Sequence, residues 1–224
     1  MADPRQAEPW KQTASGTPFF LVNPLPELVD FKQDIPDALA RIARFTGHVP
    51  AGPYSVAQHS VIGADAIFEE SGRGDLAAAF LLHDAHEAYC GDIATPVAEA
   101  LAALAVGFGF DGSAVVRSAL KTLKWRLDVA IHRRANMPFP HDPETQRVVK
   151  LFDARMLLTE KNHMLARCPR PWGLELEGVK PIPMHGALKP WPWTHASEEY
   201  TLRLKRWCPA ALDFYPGEDV AHAL

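Results

Sequence analysis

Cysteine is scarce, with three in 224 residues, at positions 90, 168 and 208. An odd, widely spaced set makes neither a disulfide framework nor a paired-cysteine metal knuckle, which suits a reducing, cytoplasmic setting. Cationic excess is missing too. Lys and Arg number 23 against 27 Asp and Glu, a formal charge of -4. That leaves no broad basic surface for a phosphate backbone, so dedicated nucleic-acid binding is disfavoured. No apolar run reaches the roughly 18 residues of a membrane span, because the longest, residues 97–110, is broken by Glu99 and two glycines. The first fifteen residues hold Asp3, Glu8 and two prolines, where a signal peptide would need an apolar run. Neither export nor membrane insertion is expected. Internal repeats, low-complexity tracts and sustained period-2 alternation are absent as well.

What is present is apolar material for a core, 47% of the chain, arranged largely with helical period. The fold class expected is all-α, a helical bundle with an extended Pro/Trp-rich C-terminal segment. Residues 1–33 read as a tail and extended segment, 34–167 as the functional domain, and 168–224 as a wrap plus short helix of the same domain. Asp34 is placed to cap a first helix with Pro36 in its first turn. Ser55-x-x-Gln58 has the form of a capping box for a second, ending near residue 70. Residues 75–89 read as one helix, apolar nearly all round at first and hence buried centrally. Further helices are expected over 113–135, from an Asp142-Pro143-Glu144 start to 165, and over 197–207. Six prolines between 169 and 192 preclude a regular helix there.

The chemistry concentrates where the central greasy helix acquires His83, Asp84, His86, Glu87 and then Asp92. Ionisable groups in a buried helix are costly unless compensated, and one metal ion satisfies several at once. On a helix His83 and Asp84 lie about 100° apart with Glu87 one turn on, so the three surround a point. His59 lies among Val56, Ile62, Gly63 and Ala66, where Gly63 would admit a second helix closely. Asp153 shares a face with Val149, Met156 and Glu160. Two imidazoles and two carboxylates from three helices suit one divalent ion, Mn²⁺, Co²⁺, Fe²⁺ or Mg²⁺ more than a structural Zn²⁺.

This set resembles the HD-domain metal-dependent phosphohydrolases, whose H…HD…D pattern is matched by His59, His83-Asp84 and Asp153. More narrowly, Gln58-His59-Ser60 and HDAHEAYCGDIATPV at 83–97 are similar to bacterial 5′-deoxynucleotidases and their phage-borne relatives, some of which are deoxynucleotide triphosphohydrolases. The resemblance spans roughly residues 34–165. It implies that Glu87 activates or orients the attacking water and that Asp92 assists the leaving group. It implies also that Arg44-Phe45 contacts phosphate and nucleoside, with Phe45 where bacterial members usually carry Trp. Thr95, Lys121 and Lys124 are further candidate substrate-binding residues. The basic residue expected after Thr95-Pro96-Val97 is missing, since Ala98-Glu99 follows. Self-association is common among such relatives.

The expected activity is hydrolysis of a nucleotide phosphate, with 5′-deoxynucleoside monophosphates releasing orthophosphate as the first reading. A triphosphate needs several cations, and Arg44 alone stands close to the motif. Alternatives are a deoxynucleoside triphosphate triphosphohydrolase, should Lys121, Lys124 and Arg126 face the pocket, an HD phosphodiesterase or nuclease, and a non-catalytic nucleotide-binding module. Two-metal relatives add histidines, and no convincing extra set stands out. His86 reads as a neighbour of the centre or part of the pocket rim. His48, His132, His141, His163, His185, His195 and His222 read as hydrogen-bonded core residues, and the tryptophans as packing. Glu87 and Asp92 alone could be solvated helix-end groups, Asp92 capping a helix from Ile93 or Ala94.

Overall fold

The computed structural model describes residues 7–108, 111–170, 172 and 176–213. It is mostly helical: α1 (Asp34–Arg41), α2 (Val56–Ser71), α3 (Gly74–Leu82), α4 (Glu87–Cys90), α5 (Thr95–Ala105), α6 (Gly112–Arg134), α7 (Pro143–Met164) and α8 (Trp193–Trp207). Ahead of them, β1 (Trp10–Gln12) and β2 (Pro18–Phe20) pair antiparallel, Trp10 opposite Phe20. Strands of three residues are too short to reveal a period of two. One core cluster runs from Phe19 in β2 through Leu28, Val29 and Phe31 to Leu204 and Ala211. The segment before α1 is therefore partly core, and Phe19 stacks on Tyr89 with centroids 3.6 Å apart.

Local chemistry explains both ends of α2 and the start of α7. The Ser55 side chain caps α2 by accepting from the Gln58 N–H, and Gly72 closes it in the left-handed region at φ 68°, a conformation that Gly adopts without a Cβ penalty. The box is only half formed. Instead of reaching back, the Gln58 amide donates to Lys189 O and accepts from Trp191 N–H, both at 2.8 Å. Asp142 caps α7 by accepting from the N–H groups of Glu144 and Thr145. Asp34 does not cap. It lies inside α1, with Gln33 at the cap position, and its buried carboxylate accepts from Ser15 N–H and Oγ, both at 2.8 Å. The charge expected to start the helix instead ties it to the hairpin loop.

α3 is the centre of the bundle, with every side chain from Leu76 to Leu82 buried. It packs on α2, α7 and α8. Close approach to α2 occurs at Gly63, where an added Cβ would stand 2.1 Å from the Phe80 ring. The single helix expected over 75–89 is interrupted after Leu82. His83 Nδ1 contacts Phe80 O at 2.6 Å, taking the carbonyl that the Asp84 amide would need to continue an α-helix. Tighter bonds follow, His83 N to Phe80 O, Ala85 N to Leu82 O and Glu87 N to Asp84 O.

The proline-rich stretch carries no regular helix among its described residues and lies along the bundle, burying Ile182 and Leu188. The last helix starts four residues earlier than expected, at Trp193, where Pro192 stands at the cap and the Arg41 guanidinium lies 4.0 Å from the Trp193 ring centroid. No described helix is long and apolar enough to cross a membrane.

Candidate metal centre

His59 of α2, the turn after α3 and Asp153 of α7 converge. His59 Nε2 stands 3.9 Å from Asp84 Oδ2 and 3.5 Å from Asp153 Oδ1. His83 Nε2 stands 3.1 Å from Asp84 Oδ2 and 3.8 Å from Asp153 Oδ1. Each ring is held from behind, His59 Nδ1 by Glu160 Oε1 at 2.6 Å and His83 Nδ1 by Phe80 O. Such backing fixes the tautomer and turns the second nitrogen to a ligand. Both Nε2 atoms are buried without a hydrogen-bond partner among the described residues.

The donor set therefore fits a divalent cation: His59, His83 and Asp84 each bring one donor atom within 4.8 Å of the others, and Asp153 Oδ1 approaches both imidazole nitrogens from the half-exposed side. The local electrostatics agree. Burial penalises charge on His83, yet Asp84 and Asp153 outweigh it and raise the imidazole well above its usual pKa. Asp84 is likewise buried, and His83, His59 and Arg44 hold it well below the usual carboxylate range. Asp153, half-exposed, is held below the usual carboxylate range by His83 and His59.

Glu87 and Asp92 adjoin this centre. Glu87 is 4% exposed, and burial, then the charges of Asp84 and Asp92, raises its carboxyl to about 9. Burial also raises Asp92. Asp92 caps nothing, because α5 begins at Thr95 with Ala94 at its cap. The expectation that His83, Asp84 and Glu87 surround one point is corrected. Among the described residues, donor atoms gather in two overlapping groups, His59-His83-Asp84 and Asp84-His86-Glu87, each within 4.8 Å.

The substrate-binding candidates divide. Arg44 lies in a turn, half-buried, with Nε and Nη2 3.3 and 3.1 Å from Glu160 Oε2 and Nη1 3.5 Å from Asp84 Oδ2. Burial opposes its charge, but Glu160 and Asp84 raise its pKa above the usual value. Much of the cation expected for phosphate is thus engaged with carboxylates. Phe45 has φ 57°, and its ring lies 6.4 Å from Trp172. Lys124 projects its field onto Glu87 and Asp92. Lys121 is exposed on α6, Arg126 donates to Val22 O at 2.7 Å and so points elsewhere, and Thr95 is exposed at the start of α5.

Two contributors escaped the sequence reading. Glu160 is fully buried and binds both His59 and Arg44. Its signal was its position two turns beyond Asp153 on the same α7 face. Asp128 of α6 accepts from His86 Nδ1 at 2.9 Å, and nothing in the local pattern marked it. Among the other histidines, His132 is buried with Nδ1 2.9 Å from Asp128 O, while His222 lies outside the described residues.

No family model matches the chain. Over 155 residues, 69% of this chain and 72% of the relative, it is 30% identical to a protein of Escherichia coli K12 bearing the name "Uncharacterized protein YfdR". Over 150 residues, 64% of this chain and 67% of the relative, it is 32% identical to "Uncharacterized protein RCAP_rcc00048" of Rhodobacter capsulatus. With the 30% identity to YfdR held over 69% of this chain and 72% of YfdR, the protein belongs to the family of YfdR.

Proposed function

We propose that this chain is an HD-type metal-dependent phosphohydrolase that cleaves phosphate from a nucleotide, with a 5′-deoxynucleoside monophosphate as the first substrate class. The observation that carries the reading is the approach of His59, His83, Asp84 and Asp153 to one another, both imidazoles presenting a buried Nε2 that makes no hydrogen bond among the described residues yet faces a carboxylate. These four residues would hold one divalent ion, Mn²⁺, Co²⁺, Mg²⁺, Fe²⁺ or Zn²⁺. When bound, such an ion acidifies a water from a pKa of about 15.7 towards 7 and polarises a phosphoryl oxygen.

The chain's own groups supply the remainder. Glu87 orients the attacking water and, once ionised against the burial that raises its pKa, receives the water's proton. Asp92, which burial makes easier to protonate, donates to the departing oxygen. Arg44, held at Nε and Nη2 by Glu160 and at Nη1 only by a 3.5 Å contact with Asp84, would turn Nη1 to the phosphate. Lys124 balances the acidic pair from α6. A triphosphate would bring up to about four negative charges and demand several cations. Of the three α6 cations considered, Lys121, Lys124 and Arg126, Arg126 points away and Lys121 is exposed, which favours the monophosphate.

The test is a screen of purified protein with each divalent ion against nucleoside mono-, di- and triphosphates, products resolved by chromatography. Orthophosphate and deoxyadenosine from dAMP are expected. Tripolyphosphate from dATP with dAMP untouched would transfer the assignment to the triphosphohydrolase, and inertness towards all would leave a nucleotide-binding module.

A further inference from the structure

Beyond that centre, the second donor group contains two buried acceptors facing no donor. His86 and Glu87 are 5% and 4% exposed, and His86 Nε2 and Glu87 Oε2 lack any hydrogen-bond partner among the described residues. Asp128 Oδ1 accepts from His86 Nδ1 at 2.9 Å, so in the neutral ring Nε2 carries the lone pair. A carboxylate behind a histidine whose free nitrogen is presented forward is the usual support of a metal ligand. One atom each of Asp84, His86 and Glu87 lies within 4.8 Å of the others. Ligands about 2.1 Å from an ion lie at most about 4.2 Å apart, so a small side-chain movement closes the set.

We propose that Asp84, His86 and Glu87 form a second divalent-cation site, with Asp84 shared between the two centres and Asp128 orienting His86. Asp84 can bridge because it belongs to both donor groups and carries two oxygens. That bridging rests on the first centre proposed above, whereas the convergence of His86 and Glu87 does not. Glu87 gives Oε2 to the second cation and keeps its other oxygen for the water. The histidine that adds this site comes from the HDAHE stretch itself and is recognisable only once α6 brings Asp128 behind it.

Metal-stripped protein is equilibrated with Mn²⁺, and bound metal is counted by elemental analysis while electron paramagnetic resonance reports spin coupling. The wild type is expected to bind about two Mn²⁺ per chain as a coupled pair. His86→Gln should retain one, uncoupled, and Asp128→Asn should weaken the second binding step by about 10–100-fold. Melting of each variant confirms that it folds, and Asp128→Asn carries the test alone if His86→Gln does not. A wild type binding one Mn²⁺ that Asp153→Ala abolishes would overturn the second site and leave the first standing. Two ions unaffected by His86→Gln would also overturn it, and no bound ion at all would overturn both.

Discussion

Asp84 faces both imidazoles and Arg44 and also belongs to the His86-Glu87 group, so its removal should be felt in both binding and turnover. Asp84→Ala is expected to abolish metal content and hydrolysis together, and full metal content in that variant would exclude it as a ligand. Glu87→Ala should keep the ion at the His59-His83 centre yet lose about 10²–10⁴-fold in turnover; unchanged turnover would refute its role with the water. Away from the centre, burial lowers His132 to about 4. The unfolded chain binds a proton there below about 6.5 and the folded chain only near 4, so stability is complete above that window and falls as pH drops through it, by up to about 3 kcal/mol. Denaturant midpoints at pH 7 and pH 5 check this, and His132→Gln should flatten the difference. The four proposed ligands were legible because each interrupts an apolar face. Glu160 and Asp128 were not singled out, because their importance comes from residues 101 and 42 positions away.

Between elements, the contact of α2 with α3 decides whether the histidines meet. Gly63 lets Phe80 approach, and the Phe80 ring lies 4.3 Å from the His83 ring and 5.6 Å from that of His59. Gly63→Ala therefore overfills this contact, and a loss of about 1–3 kcal/mol is expected, measured as a lower denaturation midpoint with weaker metal binding. Wild-type behaviour in both would show that the helices separate without cost. The role of Gly63 could be anticipated from its place one turn beyond His59. The caps at Ser55 and Asp142 were equally readable, since each is a short-range pairing of side chain and amide. The end of α3 at Leu82 was not, because apolar periodicity continues through Ala85 and Ala88 while the His83 ring competes for a backbone carbonyl.

Across the whole molecule, the Pro/Trp-rich stretch is held by side chains of the bundle: Gln58 on Lys189 and Trp191, and Thr159 on the Ile182 amide at 2.8 Å. Gln58→Ala removes two of these bonds and should cost about 1–3 kcal/mol. Limited proteolysis is expected to cut faster between residues 176 and 192, and an unchanged pattern would show the strap to be held elsewhere. Its extended course was legible from proline content, but its attachment to the residue beside His59 was not. The same bundle sets one strongly coupled acid-imidazole cluster inside a chain of modest net charge, -4. The most direct measurement is anomalous X-ray diffraction at the manganese edge from crystals grown with Mn²⁺. A peak about 2.0–2.3 Å from His59 Nε2, His83 Nε2 and oxygens of Asp84 and Asp153 is predicted, whereas a fully occupied Mn²⁺ elsewhere with this point empty would contradict the account.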